Sequence, residues 1–481
     1  MLRRNFLQQS MGGFGWLALN GLLSGSQVSG SPPTAGGTGF HLSGSEAGRV
    51  DTDSGRGDRV PATHLPARAK SIIYLYMEGG PSQIDLFDHK PLLAKQAGRP
   101  LPFDTPATVF NSSKRAMPTP FRFRQHGESA SWVSELFPHI ASCVDDLTFV
   151  HSLHHTTSNH SAACYLSHTG DPISGRPSIG SWMSYGLGTE NDNLPAFCVL
   201  DCGQAPSGGA ATWSSGFLPA SHAGVKFLRG PVPVEYLNSL DPNESISKAK
   251  LNAILSIAEQ KRSDPTRLHL DAVIRNYEKA ARMQATVPDL MDLSGESAET
   301  RKRYGLGNPQ TEVFGSRCLL ARRLVEQGVR FVELFSPRVN ADRWDQHGSL
   351  KKGLTNNCIA VDQPIAGLIH DLKSRGLLDE TIVLWGGEFG RTPSSQGTGR
   401  DHNPFGYTVF LAGGGFKPGI HYGATDEFGY YAVENKVHLH DLHATILHQM
   451  GVDHKKLTFR FDGRDYRLTD VHGKVIQPLI G

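Results

Sequence analysis

Neither sign of charge dominates this sequence. Its 481 residues carry 48 Lys and Arg against 46 Asp and Glu, a formal net charge of +2, so nothing electrostatic points to nucleic acid as a partner. Cysteine is scarce. The six residues at 143, 164, 198, 202, 318 and 358 form no CxxC pair, which excludes a zinc ribbon or finger. Cys198 and Cys202 are near enough in sequence for a disulfide, but spacing decides nothing, and buried thiols are the plainer expectation. The glycine-rich "AGGGFKPG" at 412–419 lacks both the GxGxxG pattern and the Walker lysine spacing. It follows an apolar run into a Pro-Gly pair and reads as a tight turn. Beyond the N-terminus no run is long and apolar enough to suggest a membrane span.

The N-terminus itself, "MLRRNFLQQSMGGFGWLALNGLLSGS", resembles a bacterial twin-arginine signal. Arg3 and Arg4 precede a weakly apolar stretch that ends in small residues. Residues 1–30 are assigned to that signal, with export to the periplasm or cell envelope expected and an uncleaved anchor as the alternative. Residues 31–68 are rich in Gly, Ser, Pro and Thr and read as a disordered linker. A folded domain is expected over 69–481. The sequon Asn159-His160-Ser161 is set aside, because a twin-arginine signal implies a bacterial cell.

Folded sequence begins at "SIIYLYM", an unbroken apolar run suited to a strand covered on both faces. Similar runs recur at "LTFVHSL", "AFCVLD", "VRFVELF", "TIVLWGG" and "YTVFLAGG". Between them "SRCLLARRLVEQG" and "CIAVDQPIAGLIHDLKSRG" repeat apolar residues at helical spacing. Helix followed by strand, several times over, predicts an α/β sandwich with a largely parallel sheet. Residues 240–305 are charged and helix-prone, and read as a helical insertion.

Ligands of open α/β sheets bind at the carboxyl ends of strands, so the residues after each run matter most. "SIIYLYM" is followed by Glu78, Asp85 and Asp88, and "LTFVHSL" by His154, His155, Asn159 and His160. "VRFVELF" leads to Asp345 and His347, and "TIVLWGG" to Glu388, Arg391, Asp401 and His402. Alone, each would be a capping or hydrogen-bonded polar side chain. Together, carboxylate and imidazole at four strand ends predict a divalent metal site. Mixed ligation favours zinc or manganese, with calcium the oxygen-rich alternative.

The order of "MEGGPSQIDLFDHKP", "NHSAACYLSHTG", "RPSIGSWMSYGLG", "RWDQHGSL", "WGGEFGRTP" and "GRDHNPFGYTVFLAGGG" resembles the alkaline phosphatase superfamily. More closely, it resembles a twin-arginine-exported bacterial family of unknown function often labelled sulfatase-like. The resemblance implies an alkaline phosphatase-like α/β sandwich. It also implies metal ligation by Glu78 or Asp85, by Asp345 and His347, by Glu388 and by His402, with Asp401 orienting His402. In hydrolases of the superfamily a Ser, Thr or modified Cys opens the helix before a Thr-Gly stretch. Counting back from Thr169-Gly170, that place falls on or beside His160, with Ser158, Asn159 and Ser161 flanking it. Either a serine serves, or a metal-bound hydroxide attacks directly, or there is no hydrolysis, and in a hydrolase Arg391 would neutralise charge on the transferring group. The expected activity is hydrolysis of phosphate or sulfate esters, on small anionic esters or on sulfated or phosphorylated glycans. The alternative is an envelope binding protein that keeps the fold without catalysis.

Overall fold

The computed structural model describes residues 63–106, 113–230 apart from 204, 233–234, scattered positions between 249 and 284, and 286–481 apart from 342. The signal and nearly all of the linker lie outside these residues, as does most of the expected helical insertion. Within the insertion, residues 286–291 and Ala298–Arg303 are helical. Leu65 and Ala69 already donate backbone hydrogen bonds to Gly451 O (3.0 Å) and Gln449 O (2.9 Å). The chain is therefore tied to the domain a few residues before the expected boundary.

All six apolar runs enter one sheet. Its strands are β1 (Ser71–Tyr76), β2 (Leu147–His154), β3 (Phe197–Leu200), β4 (Val225–Phe227), β5 (Phe331–Phe335), β6 (Thr381–Gly386), β9 (Tyr407–Ala412), β10 (Ile420–Tyr422) and β11 (Val437–His438). The pair β7 (Gly390–Gln396) and β8 (Gly399–Asn403) forms a separate antiparallel ribbon. In the main sheet the order is β10-β2-β9-β6-β1-β5-β3-β4, with β11 beside β2. Every pairing is parallel except the two made by β9. The ends of β1, β2, β5 and β6 consequently reach one edge of the sheet, where β9 starts.

Strand residues alternate between two apolar layers, as the period of two requires. Ile73, Leu75, Val332 and Leu334 face α3 (Glu312–Glu326) and α4 (Leu350–Ser374). Ile72, Tyr74 and Phe331 face α1 (His160–Thr169), α2 (Ile179–Leu187) and α5 (Leu439–Gln449). Both faces are covered, which explains unbroken apolar strands in place of alternating ones. All six cysteines are buried thiols. No helix among the described residues is long and apolar enough to cross a membrane.

Helix α1 brings one end to the sheet edge. The Asn159 side chain caps it by accepting the Ala162 N–H at 3.2 Å, so His160 is its first residue. Gly170 ends it at φ +72°, where a Cβ would lie 1.9 Å from Leu468 O. The far end of α1 is also pinned to β5: His168 Nε2 lies 2.6 Å from Glu333 Oε1, both fully buried.

Candidate metal centre

Five imidazole or carboxylate side chains meet at the sheet edge. Asp345 is their centre. Its Oδ1 lies 2.9 Å from His347 Nε2 and 3.1 Å from His402 Nε2, and its Oδ2 lies 3.2 Å from His160 Nε2. His347 Nε2 and His402 Nε2 are themselves 2.9 Å apart. On its other side His160 bonds through Nδ1 to Glu388 Oε1 at 2.6 Å. Phe389 packs on both His160 and His402, with ring centroids 4.9 and 4.6 Å away.

Local folding aims these groups. The loop after β5 is bracketed by Arg343 at φ +53° and Ser349 at φ +51°, left-handed conformations that non-glycine residues adopt rarely and at a cost. Gln346 and Asn357 hold the first of them by donating side-chain N–H groups to Arg343 O. Gly79, in the loop after β1, donates its N–H to Glu388 Oε1 at 2.9 Å. A Cβ at Gly79 would meet Asp345 N at 2.6 Å, and its φ is +113°. Only glycine lets the two loops approach this closely.

The outer nitrogens decide what the inner ones can do. His402 Nδ1 lies 2.7 Å from Ser158 O, an acceptor only. A neutral His402 therefore carries its proton on Nδ1 and its lone pair on Nε2. His347 Nδ1 contacts Gln396 Oε1 in the same sense. Two lone pairs and a carboxylate oxygen then converge, which suits a divalent cation. Bonds of about 2.0–2.1 Å around a tetrahedral centre separate ligands by about 3.3 Å, so a small outward shift accommodates the ion. The carboxylates of Asp345 and Asp401 are the oxygen members of the donor groups His160-Asp345-His402 and His347-Asp401-His402. The residues fit the group that the strand-end pattern predicts.

Charge is balanced unevenly across the cluster. Burial alone would raise the Asp345 carboxyl, but hydrogen bonds to His160, His347 and His402 and the Arg391 charge hold it far below the carboxylate range. Glu388 is lowered too, with the His160 bond and charge outweighing its burial. Burial opposes protonation of His160, yet its bonds to Asp345 and Glu388 lift it to about 9. His402 goes the other way, to about 4, because desolvation and the nearby Arg391 charge outweigh the Asp345 bond.

Several residues expected at the centre do other work. Asp85 is fully buried and paired with Arg400, at 2.7 Å to Nε and 3.1 Å to Nη2, and it also accepts the Ser82 hydroxyl. Its oxygens are used up away from the imidazoles. Glu78 turns to Arg343 and to the N–H and hydroxyl of Ser207. Asn159 is a helix cap. The Ser161 hydroxyl donates to Ser207 O at 3.2 Å, and Ser158 contributes its carbonyl to His402. Arg391, expected to clamp an anion, is 1% exposed, and its donors are taken by backbone carbonyls and Asp345. His160 stands among the candidate ligands, not as one of a row of nucleophile candidates.

Sequence reasoning missed Gln396 and the Gly79 N–H, whereas His155, named at its strand end, has Nε2 2.5 Å from Glu388 O. Gln396 sits in the same stretch as Glu388 and His402, but its distance along the chain from His347 hid the contact. A backbone N–H leaves no signal in side-chain chemistry.

A family model described as "Protein of unknown function (DUF1501)" matches residues 69–480. No curated protein matches the sequence. Among solved structures, a variant of TAB5 alkaline phosphatase with Mg bound is similar at 10% identity, covering 73% of this chain and 92% of that one, TM-score 0.33. The PsFucS1 sulfatase from Pseudoalteromonas sp. is similar at 11% identity, covering 82% and 68%, TM-score 0.35. The phosphonate monoester hydrolase SpPMH from Silicibacter pomeroyi is similar at 12% identity, covering 71% of each chain, TM-score 0.34.

Proposed function

The chain belongs to the DUF1501 family of proteins of unknown function, and from that premise we propose that it is a metal-dependent hydrolase of phosphate or sulfate esters. The observation that carries this reading is the convergence of His347 Nε2, His402 Nε2 and Asp345 Oδ1 within 3.1 Å of one another. These three residues would hold a divalent cation, zinc or manganese by ligand type, with Asp401 completing the set. When bound, the cation supplies Lewis-acid polarisation of the ester group.

The chain's own groups supply the rest. Glu388 fixes His160 through Nδ1, which leaves Nε2 facing Asp345 Oδ2 at 3.2 Å. His160 is 20% exposed, so a substrate entering from solvent meets it early. In this reading His160 orients the anionic ester or holds a proton at Nε2 for the leaving oxygen. The Ser161 hydroxyl is committed to Ser207 O, so water is taken as the attacking group. The twin-arginine-like start supports a place in the bacterial envelope. Small anionic esters, or sulfated or phosphorylated glycans, are the substrates this chemistry would accept.

The same serine geometry favours a second reading, an envelope protein that binds metal or anion without turnover. Metal analysis of the purified protein, with a screen of aryl phosphates and aryl sulfates, separates them. Hydrolysis that needs stoichiometric metal supports the first. Stoichiometric metal without turnover supports the second. Metal no higher than trace removes the shared premise of both.

A further inference from the structure

Arg391 is the most heavily engaged side chain near the candidate centre. It sits on β7, three residues after Glu388. Its Nε donates to Gly80 O at 2.9 Å and its Nη1 to Arg400 O at 3.2 Å. Nη2 serves Gly79 O, Trp344 O at 3.3 Å and Asp345 Oδ1 at 2.6 Å. The acceptors belong to the loop after β1, the loop after β5 and the strand β8. Each segment brings a group to the cluster: Gly79 N–H on Glu388, the Asp345 carboxylate, and Asp401 with His402.

The backbone of Arg391 is gripped as firmly. Gln83 accepts its N–H at 2.8 Å and donates to its carbonyl at 2.9 Å. Gln83 is 2% exposed, so solvent does not compete for these bonds. The side chain therefore starts from a fixed point and ends on fixed acceptors.

Depth decides between a role toward substrate and a role toward the protein. The side chains of Asp345, His347 and His160 are 28%, 24% and 20% exposed, whereas that of Arg391 is 1% exposed. The guanidinium lies deeper than Asp345 and the imidazoles of His160 and His347, at the depth of His402, whose side chain is 2% exposed. An anion arriving at the imidazoles would have to displace Asp345 and backbone carbonyls to reach it. A buried guanidinium whose donors are filled gains nothing from that exchange.

We infer that Arg391 is a positioning residue: it ties the three chain segments of the centre together and holds Asp345, without touching substrate. The inference rests on the metal-site reading for its link to function, but the tie itself is a property of the metal-free chain. Arginine is needed because its planar fork reaches acceptors on several segments at once. Lysine keeps the charge but offers one nitrogen on a flexible stem, and would leave several of these carbonyls without a donor.

Two measurements test this. In the first, Arg391→Lys is compared with wild type by hydrogen exchange without metal, and by Mn²⁺ titration. Exchange should rise in residues 77–80, 336–349 and 399–403 together, and Mn²⁺ affinity should fall by about tenfold or more, as for lost partners of metal ligands. Unchanged exchange in all three segments overturns the tie, whatever happens to metal. If wild type takes up no Mn²⁺, the metal-site reading fails alone, and exchange still decides the tie. In the second, wild-type crystals are soaked with Mn²⁺ and inorganic phosphate, which keeps the test independent of how the variant folds. Arg391 should stay on its carbonyls and Asp345. A phosphate oxygen bonded to its guanidinium would overturn the inference and restore the anion clamp.

Discussion

His347 and His402 face each other Nε2 to Nε2 at 2.9 Å, each ring held from behind, by Gln396 Oε1 and by Ser158 O. Imidazoles so fixed cannot turn aside to relieve the approach, and Asp345 Oδ1 closes the triangle. His402→Ala should therefore remove bound Mn²⁺ or Zn²⁺ and any ester hydrolysis together. The check is metal content and turnover of the same preparation. Retained stoichiometric metal in the variant would show that the ion, if any, sits elsewhere.

Ser158→Ala and Ser161→Ala should leave both metal content and turnover close to wild type. Ser158 contributes a carbonyl, which alanine retains, and the Ser161 hydroxyl donates to Ser207 O. Loss of turnover with metal intact in either variant would identify that serine as nucleophile. Water would then no longer be the attacking group.

Asp85 and Arg400 form a pair with both side chains fully buried, at 2.7 Å. Removing one partner leaves the other charge buried without compensation, which costs about 3–5 kcal/mol. Asp85→Asn should accordingly lower unfolding free energy by that order in denaturant titration. A loss below about 1 kcal/mol would mean that the site relaxes or admits water.

Two histidines away from the centre set an acid limit on stability. Burial lowers His151 to about 4, with Asp88 opposing and His421 and Lys90 adding to it, and lowers His443 to about 3, with His440 and His168 adding to the effect. Their ordinary value in the unfolded chain is about 6.5. Between the two values the unfolded state binds more protons than the folded one, so stability falls as pH falls. The contribution is complete above about 6.5 and is lost progressively toward the folded values. Melting temperature should therefore drop steadily below pH 6.5, and His443→Gln should flatten that slope. An identical pH profile in the variant would exclude His443 as a source.

The apolar runs were sufficient to place six of the nine strands of the main sheet. An unbroken run such as "TIVLWGG" can hide all its side chains only between two covering layers, and a parallel sheet supplies them. Where the runs are parallel strands their ends share an edge, so Asp345, His347, Glu388 and His402 could be proposed from position. What the sequence could not supply was each polar group's partner. Asp85 follows its strand just as Glu78 does, yet Arg400, 315 residues away, captures it. Arg391 looks like an anion clamp in "GGEFGRTP", but tertiary packing puts it deeper than Asp345 and fills its donors. Side-chain type and strand position are local properties, carried by the chain itself. The direction of a lone pair, the burial of a guanidinium and the choice among competing carboxylates depend on contacts between distant segments. Only the folded packing decides them.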